Sequence, residues 1–166
     1  MKVLMVIDMQ KGFIKAQNAH LEKNINKLLN SKIFDRVIYT MFKNNKNSPF
    51  VKILNWTDMQ DSEKQQIVVD IIPNSLIWEK QSYGLPTERI VDLKNNKVQE
   101  VYLCGTDIDA CVLNIAYNLF DNNIKPIFIS DCCDTSSQNS NLKDWTLKII
   151  SRSFGESCIT ETKSLI

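Results

Sequence analysis

Short, nearly continuous apolar runs alternate along this chain with longer stretches whose apolar residues recur every three or four positions. The runs "KVLMVID", "RVIYTMF", "SLIWEK", "VQEVYLCGT" and "KPIFISD" read as buried strands, and "SCIT" as a short final one. Leu21, Ile25, Leu28 and Leu29 share one helical face, and "SEKQQIVVDII" opens on a Ser–Glu helix-start signal. "PTERIVDLKNN" reads as a short helix with Pro86 near its start. Val112, Ile115, Ala116, Leu119 and Phe120 form the stripe of a core-facing helix that begins beside Cys111. "NLKDWTLKIISRSFG" is the last helix, with Gly155 as its C′ residue. The polar stretches "KNNKNSPF" and "SSQNSN" read as loops.

Apolar strands separated by helices predict a parallel sheet covered on both faces, and right-handed crossovers make it a doubly wound three-layer α/β/α sandwich. With 166 residues and no linker, residues 1–166 form a single domain. In such a fold, reactive groups gather at the carboxyl ends of the strands.

Charge narrows the partners. Twenty Lys and Arg oppose 19 Asp and Glu, and the basic residues are scattered, so nucleic acid is not expected and a small molecule is. The opening apolar run, Val3 to Ile7, is too short for a signal peptide or a membrane span, which predicts a cytoplasmic protein without a membrane partner. Five cysteines, at 104, 111, 132, 133 and 158, lack metal-ligand spacing and are expected to be free thiols. Neither a G-x-G-x-x-G nor a G-x-x-x-x-G-K-[ST] motif occurs, so no nucleotide cofactor is expected.

Three strand ends carry complementary chemistry. Asp8 ends the first strand, Lys80 ends the third, and Cys111 follows the fourth by one turn. A free thiol of pKa ~8.5 is mostly protonated at neutral pH and needs a base or a positive field to act as a nucleophile. Lys80 and the first-turn N–H groups of the helix supply a field, and Asp8 supplies a base. The chain's one histidine, His20, precedes the first helix, so a Cys–His dyad has no support. Taken singly, each residue has a structural explanation: Cys111 as a small core residue, Asp8 as a cap, Lys80 as a solvated charge. Their convergence is what argues for catalysis.

"VIDMQKGF", "WEKQSYG" and "GTDIDACVLNIA" resemble the three signature blocks of the isochorismatase-like cysteine hydrolase superfamily, which includes nicotinamidases and N-carbamoylsarcosine amidases. The resemblance implies a six-stranded parallel sheet in the order 3-2-1-4-5-6 and an Asp8–Lys80–Cys111 triad. It implies cleavage of the C–N bond of a small amide through a Cys111 thioester. It also implies an oxyanion hole of the Asp107 and Cys111 backbone N–H groups, with a cis peptide between Thr106 and Asp107. Relatives often form dimers or tetramers, so a homo-oligomer is expected. Nicotinamidases hold a metal with an Asp and several His after the second strand; "YTMFKNNKNSPF" has neither, so no metal is expected. Isochorismatases hydrolyse a vinyl ether without needing the cysteine. That reaction, and a catalytically inactive binding protein on the same fold, are the alternatives.

Aromatic residues near these positions suggest pocket walls: Phe13, Trp56 and Tyr83, with Phe13 also supported by the resemblance and core packing as the alternative for each. Gln10, two residues beyond Asp8, faces the same side if the strand persists and either holds the carboxylate or satisfies a loop amide. Cys104 lies within a strand as a core residue, Cys132 and Cys133 follow the fifth strand, and Asp131 ends it.

Overall fold

The computed structural model describes residues 1–139 and 141–166; part of the "SSQNSN" loop, Ser140, lies outside the described residues. Six strands form the sheet: β1 (Val3–Ile7), β2 (Arg36–Phe42), β3 (Leu76–Lys80), β4 (Glu100–Gly105), β5 (Lys125–Cys133) and β6 (Ile159–Thr160). All pair parallel, in the order β3-β2-β1-β4-β5-β6. Five α-helices flank it: α1 (His20–Asn30), α2 (Pro49–Leu54), α3 (Thr87–Asn95), α4 (Leu113–Phe120) and α5 (Leu142–Phe154). Among the described residues, no helix is long and apolar enough to cross a membrane.

Every residue of β1 is buried, which explains why its sequence lacks strand-like alternation: both of its faces meet apolar layers. The strand order reverses between β1 and β4, which opens a crevice at their carboxyl ends. Close approach there depends on Gly105. It sits at φ +121°, and a Cβ on it would lie 2.1 Å from the Ile7 carbonyl oxygen. The next peptide, Thr106–Asp107, is cis. A π-helical turn, Ile108–Val112, then carries Cys111 into α4, so the cysteine precedes the regular helix.

Two expected elements differ. The "SEKQQIVVDII" stretch forms turns and extended chain, with no helix. Its β-branched run disfavours a helix, and the backbone bonds the chain after β1: Lys11 N–H donates to Gln66 O, Val68 N–H to Met9 O, and Gln10 bridges Ile67 antiparallel. In turn, "KNNKNSPF" is not all loop. The Ser48 hydroxyl accepts from Val51 N–H as an N-cap, Pro49 takes the first turn, and α2 follows. Strand β5 also runs on through Cys132 and Cys133, so Asp131 lies within it.

The main core surrounds the sheet's middle. A second, smaller cluster of Phe42, Phe50 and Met59, with Phe13 and Trp56 against it, stands at the carboxyl edge beside the crevice.

Candidate active site

Chain geometry at the end of β1 sets the first group. Asp8 is wholly buried at φ +48°, a conformation uncommon for a non-glycine residue. Thr40, from β2, fixes it: the Thr40 hydroxyl donates to Asp8 Oδ1 at 2.6 Å and accepts from the Asp8 N–H at 3.1 Å. Lys80, also buried, reaches in from β3, placing Nζ 2.7 Å from Asp8 Oδ2. The same ammonium donates to the Ser82 carbonyl at 2.8 Å and to Cys111 Sγ at 3.3 Å, and it lies 5.2 Å over the Phe42 ring. The structure thus brings Asp8, Lys80 and Cys111 together, with the Lys80 ammonium in contact with the other two.

Their charges are tightly coupled. Burial opposes the Lys80 charge, but the carboxylate of Asp8 and the sulfur of Cys111 outweigh it and hold Lys80 above its ordinary range. Burial pushes the Cys111 thiol well up; the nearby Asp8 carboxyl group adds to this, and Lys80 opposes it. On balance these influences favour the protonated form of the sulfur. Cys111 as a residue is 8% exposed, and it lines a pocket of about 500 Å³.

Phe13, Phe42, Phe50, Trp56 and Tyr83 wall the pocket, with Thr106, Asp107, Ala110 and Ser136 on the side of Cys111. The Phe13 and Trp56 rings stack nearly parallel, 6.3 Å apart, while Phe50 meets Phe42 and Tyr83 edge-on at 4.9 Å each. Phe13, Trp56 and Tyr83 therefore line the site. Gln10 does not: Nε2 donates to the Phe42 and Gln65 carbonyls, and Oε1 accepts from Phe42 N–H. The reason is Asp8, whose left-handed φ ends the strand alternation and turns Gln10 toward the end of β2. Of the two roles open to it, Gln10 takes the loop amide.

The predicted oxyanion-hole residues, Asp107 and Cys111, border one side of the pocket, and the Asp107 N–H finds no acceptor among the described residues. The Asp107 carboxyl group was not foreseen as a site feature. Burial raises its pKa against the hydrogen bonds that Thr106 and the Ser136 hydroxyl and N–H donate to it. Sequence reasoning also missed Thr40, Phe42 and Phe50. A Ser-Pro pair after β2 was the available signal for Phe50, because it starts the helix that delivers the ring.

Asn44 fastens the Trp56 wall. Its Nδ2 donates to the Trp56 and Asp58 carbonyls at 3.1 and 2.8 Å, and its Oδ1 accepts from the Ser48 hydroxyl and Asn45 N–H. Every polar position of this buried amide is taken.

The fold is similar to that of an isochorismatase-like hydrolase from Alkaliphilus metalliredigens, with a TM-score of 0.84 at 16% identity, covering 99% of this chain and 97% of that one. N-carbamoylsarcosine amidase from Thermoplasma acidophilum matches at TM-score 0.81 and 21% identity, over 97% and 96% of the two chains. A pyrazinamidase of Pyrococcus horikoshii in complex with zinc matches at TM-score 0.81 and 18% identity, over 96% and 98%. No curated protein sequence matches. The chain after β2 offers Phe42, Lys43 and a fully engaged Asn44, and the described residues contain no group of three His, Cys, Asp or Glu placed to hold a metal. Sheet order, the reversal at β1 and β4, and the match of residues 2–162 to the isochorismatase domain together place the chain: it belongs to the isochorismatase domain family.

Proposed function

We propose that this protein is a cysteine hydrolase that cleaves the C–N bond of a small amide through a thioester on Cys111. The observation that carries the reading is the buried contact of Lys80 Nζ with both Asp8 Oδ2 (2.7 Å) and Cys111 Sγ (3.3 Å) beneath an apolar pocket. A buried acid–ammonium pair is costly to build and gives little net stability, so its placement against a thiol supports a catalytic purpose. Two of the similar solved structures, a nicotinamidase from Bacillus subtilis and the N-carbamoylsarcosine amidase, support C–N chemistry.

In this reaction Asp8 takes the Cys111 proton as the sulfur attacks the carbonyl carbon. Lys80 remains protonated and stabilises the negative charge as it passes from the carboxylate through the sulfur to the carbonyl oxygen. The tetrahedral oxygen lies toward the Asp107 and Cys111 N–H groups, where one such donor is worth about 3 kcal/mol of barrier. Asp8 returns the proton to nitrogen, the C–N bond breaks, and ammonia or an amine leaves a thioester behind. Water then attacks the thioester, giving a proton to Asp8; the C–S bond breaks and the proton returns to sulfur. The sum is amide plus water to acid plus amine. Because burial favours the protonated thiol, transfer to Asp8 accompanies attack in this reading.

A panel of primary amides assayed for ammonia release, with acyl-enzyme trapping by intact mass, tests the reading. Wild type should release ammonia and carry the acyl mass on Cys111, while Asp8→Asn should fold and accumulate none. Turnover in Asp8→Asn near that of wild type overturns the assigned base, and absence of ammonia across the panel overturns the amidase assignment.

A further inference from the structure

The apolar pocket does not end at its aromatic wall. Phe50, Leu54 and Tyr83 line it, and the same three residues line a second groove of about 340 Å³, completed by Pro49, Ile53 and Ser82. The two spaces therefore border each other at these shared side chains. Ser82 is the groove's one residue with a polar side chain besides the Tyr83 hydroxyl.

Helix α2 explains how the groove arises and why it calls for an occupant. Phe50 turns inward to the aromatic cluster, which assigns Ile53 and Leu54 to the outer side of a six-residue helix. They are 75% and 58% exposed, the two most exposed large apolar side chains among the described residues. A helix that served only as a pocket wall would put polar residues there, as α1 does on its solvent side with Glu22, Lys23 and Lys27. Contiguous apolar surface leading out of a reactive pocket marks a binding face.

We propose that the molecule reacting at Cys111 carries an extended apolar substituent, which leaves the pocket past Leu54 and Tyr83 and lies in the groove along α2. On the reading above this molecule is an amide with an alkyl-like chain, so the inference rests on Cys111 being the reacting group. The Asp8–Lys80 pair and the oxyanion side handle the amide; the chain is recognised by Phe50, Ile53, Leu54 and Tyr83 through burial alone. Such a groove measures length and rejects charge along the chain, because a charged group laid against it would be desolvated with no partner.

Affinity labelling of the full-length protein with N-alkyl iodoacetamides, methyl to octyl, tests this without requiring turnover. Cys111 alkylation, followed by intact mass and peptide mapping, should quicken about twofold per added methylene, against the roughly fourfold that complete burial of a CH2 would give. The double variant Ile53→Ser/Leu54→Ser should flatten the length dependence. Val91→Ser, exposed on α3 away from the groove, should keep it. A flat series in wild type, or an unchanged slope in the double variant, overturns the proposal. A concentration-dependent dimer that Ile53→Ser dissolves also overturns it, because the face then belongs to a second copy. Ammonia release from acetamide through octanamide separates the two readings. Turnover without length dependence keeps the hydrolase and rejects the groove. Length-dependent labelling with no amide turned over keeps the groove and rejects the amidase.

Discussion

Cys104, within β4, and Cys111, in the turn that follows it, stand seven residues apart, and burial raises both thiols well above their ordinary 9.0. Cys104 pairs in register with Val6, is fully enclosed, and has its sulfur 3.7 Å from the Met5 carbonyl; the ionisable groups that raise its pKa besides burial are Cys132 and Cys133. Cys111 is almost as enclosed, yet its sulfur lies 3.3 Å from the Lys80 ammonium, which also holds the Asp8 carboxylate, and it borders a pocket. Burial alone therefore makes a sulfur inert. What separates a reactive thiol from a packed one is a cation to accept its charge, a base to accept its proton, and a path for an electrophile.

Removing the cation should collapse that difference. Lys80→Met leaves Asp8 buried without its counter-charge, for an expected loss of about 3–5 kcal/mol in urea unfolding. Turnover should fall on the order of 10⁴-fold, the scale seen when one member of a catalytic unit is lost. Adding Asp8→Asn should recover much of the stability and none of the activity. An unfolding midpoint unchanged in Lys80→Met would mean that the pair does not depend on its counter-charge. In wild type, competitive alkylation with iodoacetamide should modify Cys111 on the order of 100-fold faster than Cys104, whose sulfur reacts only when the sheet opens. Equal rates would erase the distinction between the two sites.

How much of this was legible in the sequence follows from the same contrast. Asp8, Lys80 and Cys111 end apolar runs, and the crevice rule for parallel sheets collects strand ends whatever the loops do. The remaining parts depend on register and on local backbone, which periodicity does not report. Thr40 reads as an ordinary β-former; its hydroxyl meets Asp8 only because Thr40 pairs with Ile7, one residue earlier. Gln10 was assigned by alternation, and alternation fails at the positive φ of Asp8. Residues 62–72 carry a helix-start signal, but the β-branched residues behind it find backbone partners beside Met9 and Lys11. Helix α2 is too short to show a period, so its Ser-Pro start was the one legible trace, and with it went Phe50 and the exposed Ile53 and Leu54.

Thr40 sharpens the comparison from the side of the base, since nothing around Cys104 is held in this way. Thr40→Val preserves the side-chain shape but leaves Asp8 Oδ1 and the Asp8 N–H without their shared partner. The expected cost is about 1–3 kcal/mol of stability. A loosened carboxylate should lower kcat about 10- to 100-fold while leaving KM nearly unchanged. Thr40→Ser, which restores the hydroxyl, should recover most of kcat. A loss of stability without any loss of kcat would make Thr40 a packing residue.

The smallest effect lies in the pH dependence of stability, where both thiols contribute with the same sign. An unfolded chain begins to release thiol protons near the ordinary 9.0, whereas the folded protein retains those of Cys104 and Cys111 to higher pH. The folded state then binds more protons than the unfolded state, so stability is fully present below about pH 9 and declines as pH rises. Lys80 adds to the decline later, because burial lowers its pKa less than Asp8 and Cys111 raise it, leaving it above 10.5 when folded. Each thiol can add at most one proton to the slope, about 1.4 kcal/mol per pH unit. Cys104→Ala and Cys111→Ala should each flatten the curve above pH 9 by up to that amount, measured by urea unfolding from neutral pH upward. If Cys111→Ala leaves the slope unchanged while Cys104→Ala flattens it, Cys111 is ionised in the folded state. Lys80 would then hold a resting thiolate, and Asp8 would no longer need to take a proton during attack.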